Sequence, residues 1–185
     1  MSNRQTHSHR QSVMMAYSGM TAALSVVLML LGGIIPIMTY VSPLLCGVLL
    51  LPILLEFGKQ YAWICWGVTA LIVLLIGADR EAAFFYLFFG YYPIIKWRLD
   101  QIKSKRLCLL AKASLFSLLT VALYALLGFV LHLDVVTQEF AEMGVWMTVG
   151  FLVVLVFCLL LYDRLLFPLC ILYENRIKPK MKFIR

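Results

Sequence analysis

Charge is what this sequence has least of. Only 14% of its 185 residues are Asp, Glu, Lys or Arg, against 63% hydrophobic residues, and the mean hydropathy is +0.95. A water-soluble globule of this size could not cover such a core with so little polar surface. No polar stretch is long enough to fold as a separate soluble domain, which excludes a fused ATPase or receptor module. No G-x-S-x-G, H-E-x-x-H, Walker A or paired-carboxylate helix occurs, so no catalytic residue is assigned and no enzymatic activity is expected. The five cysteines, Cys46, Cys65, Cys108, Cys158 and Cys170, form no C-x-x-C pair and each lies in an apolar run. They read as small buried hydrophobes, not as redox or metal ligands. His7 and His9 are the sole histidine pair, and two ligands on a polar tail make a poor metal site. No metal and no cofactor is expected. Neither an internal repeat nor a low-complexity segment is present.

What is there is a series of long apolar runs. A membrane crossing takes about 20 apolar residues, and the runs predict an all-α, polytopic membrane helix bundle of six transmembrane helices. The domain plan is a polar tail over 1–12, a six-span membrane domain over 13–173 and a basic tail over 174–185. The predicted spans are 13–38, loosened at its far end by Gly32, Gly33 and Pro36; 42–57, with Pro52 able to kink it; 61–77; 82–95; 107–131; and 143–173. The apolar run behind the N-terminal tail is longer than a signal-peptide core and has no evident cleavage site, so it reads as a retained span. The fourth run is short. At 1.5 Å per residue it covers roughly 21 Å of an apolar layer about 30 Å thick, so it must recruit flanking residues, thin the bilayer or stop partway. The last run exceeds what a membrane requires and is expected to project beyond it, wetting Asp163 and Arg164.

Sidedness follows from the basic residues. With the N-terminus inside, the inner segments hold Arg4, Arg10, Lys59, Lys96, Arg98, Lys103, Lys105, Arg106, Arg176, Lys178, Lys180, Lys182 and Arg185. Lys112 and Arg164 lie toward the inner ends of their spans, within snorkelling reach, and Arg80 alone is outside. This bias predicts both termini in the cytoplasm. It accounts for the net charge of +7 through anionic head groups of the lipid bilayer or an inner partner, with no nucleic acid. Glu56 and Lys59 are expected to pair near the inner end of the second span.

Two groups of residues stand out as candidate sites. Ala16, Gly19 and Ala23 follow i, i+3, i+7 spacing and share one face of the first helix. Small residues let helices approach closely where no hydrophobic effect drives association. The stripe serves either packing within the bundle or docking of another subunit. At the opposite end, the outer loops carry Tyr40, the run Asp79-Arg80-Glu81, and His132, Asp134, Glu139 and Trp146. Both signs of charge at the mouth of a bundle suit a polar or zwitterionic small molecule, although for any single residue an ordinary solvated turn with a local ion pair is the more economical reading. The fourth span crowds Phe84, Phe85, Tyr86, Phe88, Phe89, Tyr91 and Tyr92 together, which reads as core and belt.

Six short spans, both ends inside and a small-residue stripe on the first helix resemble the substrate-binding S-components of energy-coupling factor (ECF) vitamin transporters. The segment from Gly19 to Ala23, a G-x-x-x-A pattern, is similar to the alanine-rich A-x-x-x-A of that family's first helix. The resemblance implies uptake of a vitamin-like nutrient in a prokaryotic plasma membrane. It also implies docking through Ala16, Gly19 and Ala23 onto a transmembrane T-component driven by two ATPase subunits. The ligand pocket would open outward among Tyr40, Asp79, Arg80, Glu81, His132 and Trp146. The rival expectation is a non-transporting scaffold or assembly protein of the cell envelope. An autonomous secondary carrier is disfavoured because no inverted repeat or broken helix pair is evident.

Overall fold

The structure is a computed structural model that describes residues 2–32, 38–76, 79–101, 104–126 and 134–178, without the side chains of 2–10, 105, 134–145, 148 and 177. Every regular element among the described residues is helical: α1 (Ser2–Gly32), α2 (Met38–Glu56), α3 (Lys59–Ile76), α4 (Arg80–Phe89), α5 (Tyr92–Leu99), α6 (Lys105–Ala125) and α7 (Asp134–Leu172), which runs on into a π-helical turn (Tyr173–Ile177). Five of these are long and apolar enough to cross a membrane, over Gln11–Gly32, Met38–Glu56, Lys59–Ile76, Arg106–Ala125 and Val149–Arg176. Their outward faces carry large apolar side chains such as Leu24, Leu31, Ile64, Leu75, Leu118 and Phe157. Water would penalise that surface at roughly 25 cal/mol per Å², whereas hydrocarbon does not. The protein is a multi-pass membrane protein built as an all-α bundle.

The fourth predicted span is not one helix. It divides into α4 and α5 at Gly90 and Tyr91, and the local sequence explains the break. Pro93 has no N–H with which to continue the α4 ladder, yet its fixed φ suits the first turn of a new helix. Gly90 closes α4 through its N–H to the Tyr86 carbonyl at 2.7 Å. A β-carbon at Gly90 would run into the Tyr86 ring. Two further segments depart from expectation. The polar residues Ser2–Gln11 continue α1 as helix, and the acidic connection from Asp134 onward forms the first turns of α7. Gly33, Pro36 and His132 lie outside the described residues.

The chain forms two compact units, residues 1–94 with 166–185, and residues 95–165. In the first, α1 packs on α2 and α3, and α4 packs on α2 and α3. One core cluster joins Ala22, Leu50, Ile53, Leu54, Ala62, Cys65 and Ile94. A second joins Met29, Cys46, Ala70, Val73, Ala82, Ala83 and Tyr86. Small residues at Ala22, Ala62, Ala70, Ala82 and Ala83 allow the close helix approach that packing without a hydrophobic drive requires. Gly58, at φ 89°, makes the sharp α2–α3 turn that a β-carbon would strain. In the second unit, Phe116 and Leu123 of α6 and Leu155 and Leu159 of α7 are buried, and Tyr124 meets Phe151 edge-on at 6.3 Å.

Candidate functional site

The outer-loop candidates of the first unit are tied together. Asp79 caps α4: its Oδ1 accepts the Ala82 N–H at 3.0 Å, and its Oδ2 accepts the Thr39 hydroxyl at 2.9 Å. Tyr40 donates to Glu81 Oε1 at 2.7 Å, and its ring meets Phe85 edge-on at 5.6 Å. The start of α2 is thus fastened to the start of α4 by two hydroxyl–carboxylate bonds. An N-cap aspartate and a first-turn glutamate also complement the α4 dipole. Arg80 stands exposed beside them, in no ion pair among the described residues. Of the sequence candidates, the structure therefore brings Tyr40, Asp79 and Glu81 into one polar cluster with Thr39, which sequence reasoning missed. A Thr two residues into a helix gives no sign of which carboxylate it will meet. Trp146 lies on α7 and is 91% exposed, while the side chains of Asp134 and Glu139 are outside the described set.

Ala16, Gly19 and Ala23 all face outward from α1. Nothing lies within 4 Å of the place a β-carbon would occupy at Gly19. Flanking them are Met15, Met20, Leu24 and Val27, all exposed. The alternative in which this stripe packs inside the bundle is not what the structure shows: α1 turns Thr21, Ala22, Ser25 and Met29 inward instead.

The densest charged group lies in the second unit and was not expected. Asp163, read from the sequence as wetted, is only 7% exposed. Its carboxylate bonds Lys96 through Oδ1 and Lys112 through Oδ2, the latter at 2.8 Å. Asp100 completes a ring, with Oδ1 2.5 Å from Lys112 and Oδ2 3.4 Å from Lys96. Lys96 also donates to the Asp163 carbonyl at 2.9 Å. Two ammonium groups and two carboxylates thus alternate around a closed circuit of zero net charge, drawn from α5, α6, α7 and the turn after α5. Burying an isolated ion costs several kcal/mol after relaxation, on the order-of-magnitude scale of such penalties, so the circuit is what allows these charges inside. Arg164, next in sequence, is exposed as expected. The one signal in the sequence was intramembrane ionisable character at Lys112 and Asp163, a default mark of function.

A second correction concerns Glu56. Its ion pair is with Lys178, 3.4 Å from Oε1, while Lys59 points outward. The cysteines form no disulfide among themselves; Cys46, Cys65 and Cys170 are buried, whereas Cys158 is exposed on α7. Between α6 and α7 a shallow, mostly apolar recess of about 210 Å³ is lined by Ser117, Thr120, Val121, Val149, Leu152, Val153 and Val156. Among the described residues no three His, Cys, Asp or Glu side chains gather as a metal site. Comparison of the chain with protein-family models, with curated proteins and with solved structures finds no match.

Proposed function

We propose that the protein is a membrane-embedded substrate-binding subunit of a small-molecule uptake transporter, similar in plan to an ECF S-component. The observation that carries this reading is the Ala16–Gly19–Ala23 stripe, which the bundle leaves open. Lipid-facing helix surfaces are usually filled by bulky apolar residues, and a run of small ones makes a flat track on which a second transmembrane helix packs closely. In this reading α1 docks to a T-component-like membrane partner, and separate ATPase subunits supply the energy. The nutrient, of vitamin-like size, enters at the end of the bundle that carries Tyr40, Arg80 and Glu81. The membrane is a prokaryotic plasma membrane, and both termini face the cytoplasm by the distribution of Lys and Arg.

A second reading is favoured by one specific feature. Asp79 and Glu81 already have hydroxyl partners within the chain, as they would in a scaffold with no ligand to bind. The experiment that separates the two is mass spectrometry of the full chain purified from its membrane in mild detergent. A stoichiometric polar metabolite, together with a membrane subunit lost on Gly19→Leu or Ala23→Leu, supports the transporter subunit. Retention of protein partners without any metabolite supports the scaffold. If both substitutions leave every partner in place, α1 is not the docking surface.

A further inference from the structure

The charge ring is uneven in a way that a purely structural staple has no need to be. Side-chain exposure is 11% for Lys96, 6% for Lys112 and 10% for Asp163, but 38% for Asp100. Three members are built in, and the fourth sits at the edge. Without Asp100 the remaining three carry one uncompensated positive charge, so the site requires one negative charge from somewhere. Asp100 is also poorly placed for its own helix. It follows the last turn of α5, with its N–H bonded to the Lys96 carbonyl at 2.9 Å, where the helix dipole is negative and disfavours a carboxylate. Its other polar neighbour, the Cys108 thiol at 4.0 Å, contributes little. Among the described residues, the two lysines are the only charged partners of the Asp100 carboxylate.

The surroundings favour a visiting anion. Arg98, Arg106 and Arg164, all in the same unit, are exposed and in no ion pair among the described residues. Lys112 uses two of its three ammonium protons on Asp100 and Asp163; the third has no acceptor among the described residues. Lys112 stands six residues beyond Arg106 on α6, about 9 Å along the axis, which suits a group at the level of lipid phosphates on the basic side of the membrane.

We propose that Lys96 and Lys112 form a binding site for a phosphate group, with Asp100 as the resident carboxylate that a phosphate oxygen replaces. A lipid phosphodiester, or the monoanion of inorganic phosphate, carries a single negative charge, so the exchange keeps the ring neutral and returns Asp100 to water. The source is either the headgroup of an anionic lipid or free phosphate. This inference does not depend on the transporter reading.

The test uses the full chain in nanodiscs of phosphatidylcholine, with or without phosphatidylglycerol, and separately with inorganic phosphate at millimolar concentration. In phosphatidylcholine alone, whose headgroup phosphate is already offset by its own choline cation, Asp100→Asn is expected to unfold several degrees below wild type, because a buried positive charge is left unmatched. Phosphatidylglycerol is expected to restore it and to protect the variant more than the wild type, whose site Asp100 already fills. Rescue by phosphatidylglycerol but not by inorganic phosphate identifies a lipid headgroup; rescue by inorganic phosphate identifies the free anion. A variant as stable as wild type without any anion, or one that neither anion rescues, overturns the proposal. Should Asp100→Asn fail to fold, native mass spectrometry of lipid retention decides the matter. Lys112→Gln is expected to retain phosphatidylglycerol about tenfold less well than wild type, as loss of a charge-assisted bond predicts, while Lys112→Arg retains it. Equal retention by all three overturns the site.

Discussion

Two clusters hold most of the chain's described carboxylates that have partners, and they hold them by different means. At the start of α4, Asp79 and Glu81 are satisfied by neutral donors: the Thr39 and Tyr40 hydroxyls and one backbone N–H. In the second unit, Asp163 and Asp100 are satisfied by two ammonium groups. The difference tracks burial. Asp79 and Glu81 are only half-buried, so dipoles suffice to orient them. Asp163 has no such access, and a buried anion demands a counter-charge with hydrogen bonds to its remaining lone pairs. The neutral cluster positions one helix end against another, and Arg80 beside it makes no ion pair among the described residues. The ionic ring makes each of its members dependent on the rest.

The comparison can be broken first at its strongest point. Asp163→Asn leaves Lys96 and Lys112 buried with only Asp100 between them, and we expect a loss of about 3–5 kcal/mol, the usual consequence of orphaning a buried charge. Thermal unfolding in detergent reads it. A change under about 1 kcal/mol would mean that the ring is wet after all. The double variant Lys112→Met with Asp163→Leu removes one charge of each sign and leaves the Lys96–Asp100 pair. It is expected to lose less than Asp163→Asn alone, since apolar replacement of a whole buried pair is often near neutral. If the double variant is the worse of the two, hydrogen bonding and not charge balance holds this unit together.

The neutral cluster should respond more mildly. Asp79→Ala removes the α4 cap and the Thr39 acceptor together and is expected to cost about 1–2 kcal/mol. Tyr40→Phe keeps the ring on Phe85 and deletes only the hydroxyl, so roughly 1 kcal/mol is expected. A loss as large as that of Asp163→Asn in either variant would erase the distinction between the two clusters. The smallest effect belongs to Arg80→Gln, which should change unfolding by less than about 0.5 kcal/mol while lowering affinity for any anionic nutrient found at that end. Unchanged ligand affinity would move the pocket away from Arg80.

Much of the architecture was legible before any coordinates. Helices α1, α2, α3, α6 and α7 overlap the predicted first, second, third, fifth and sixth spans, and the shortness of the fourth run anticipated trouble there. Its resolution into α4 and α5 was written in Gly90 and Pro93, whose joint effect on the helix ladder was not weighed. The exposure of Ala16, Gly19 and Ala23 was open, because a helix's apolar faces look alike in sequence when both core and lipid are greasy. Asp163 was misread for a related reason. Its depth was inferred from the length of its own run, while its partners Lys96 and Lys112 lie 67 and 51 residues away along the chain.

By itself the sequence determined that this chain is helical and lives in a membrane. A backbone in hydrocarbon must satisfy its own N–H and C=O groups, and long apolar runs with few charges leave the helix as the solution. It also determined where the turns fall, since Gly58, Asp79 and Pro93 act on their immediate neighbours. Only the tertiary structure decided which polar side chains meet. Whether Asp163 is wetted or ringed by lysines, and whether Glu56 pairs with Lys59 or with Lys178, depends on the distances between helices remote in sequence. Those distances are set by packing of side chains on every face at once, and no local pattern of residues records them.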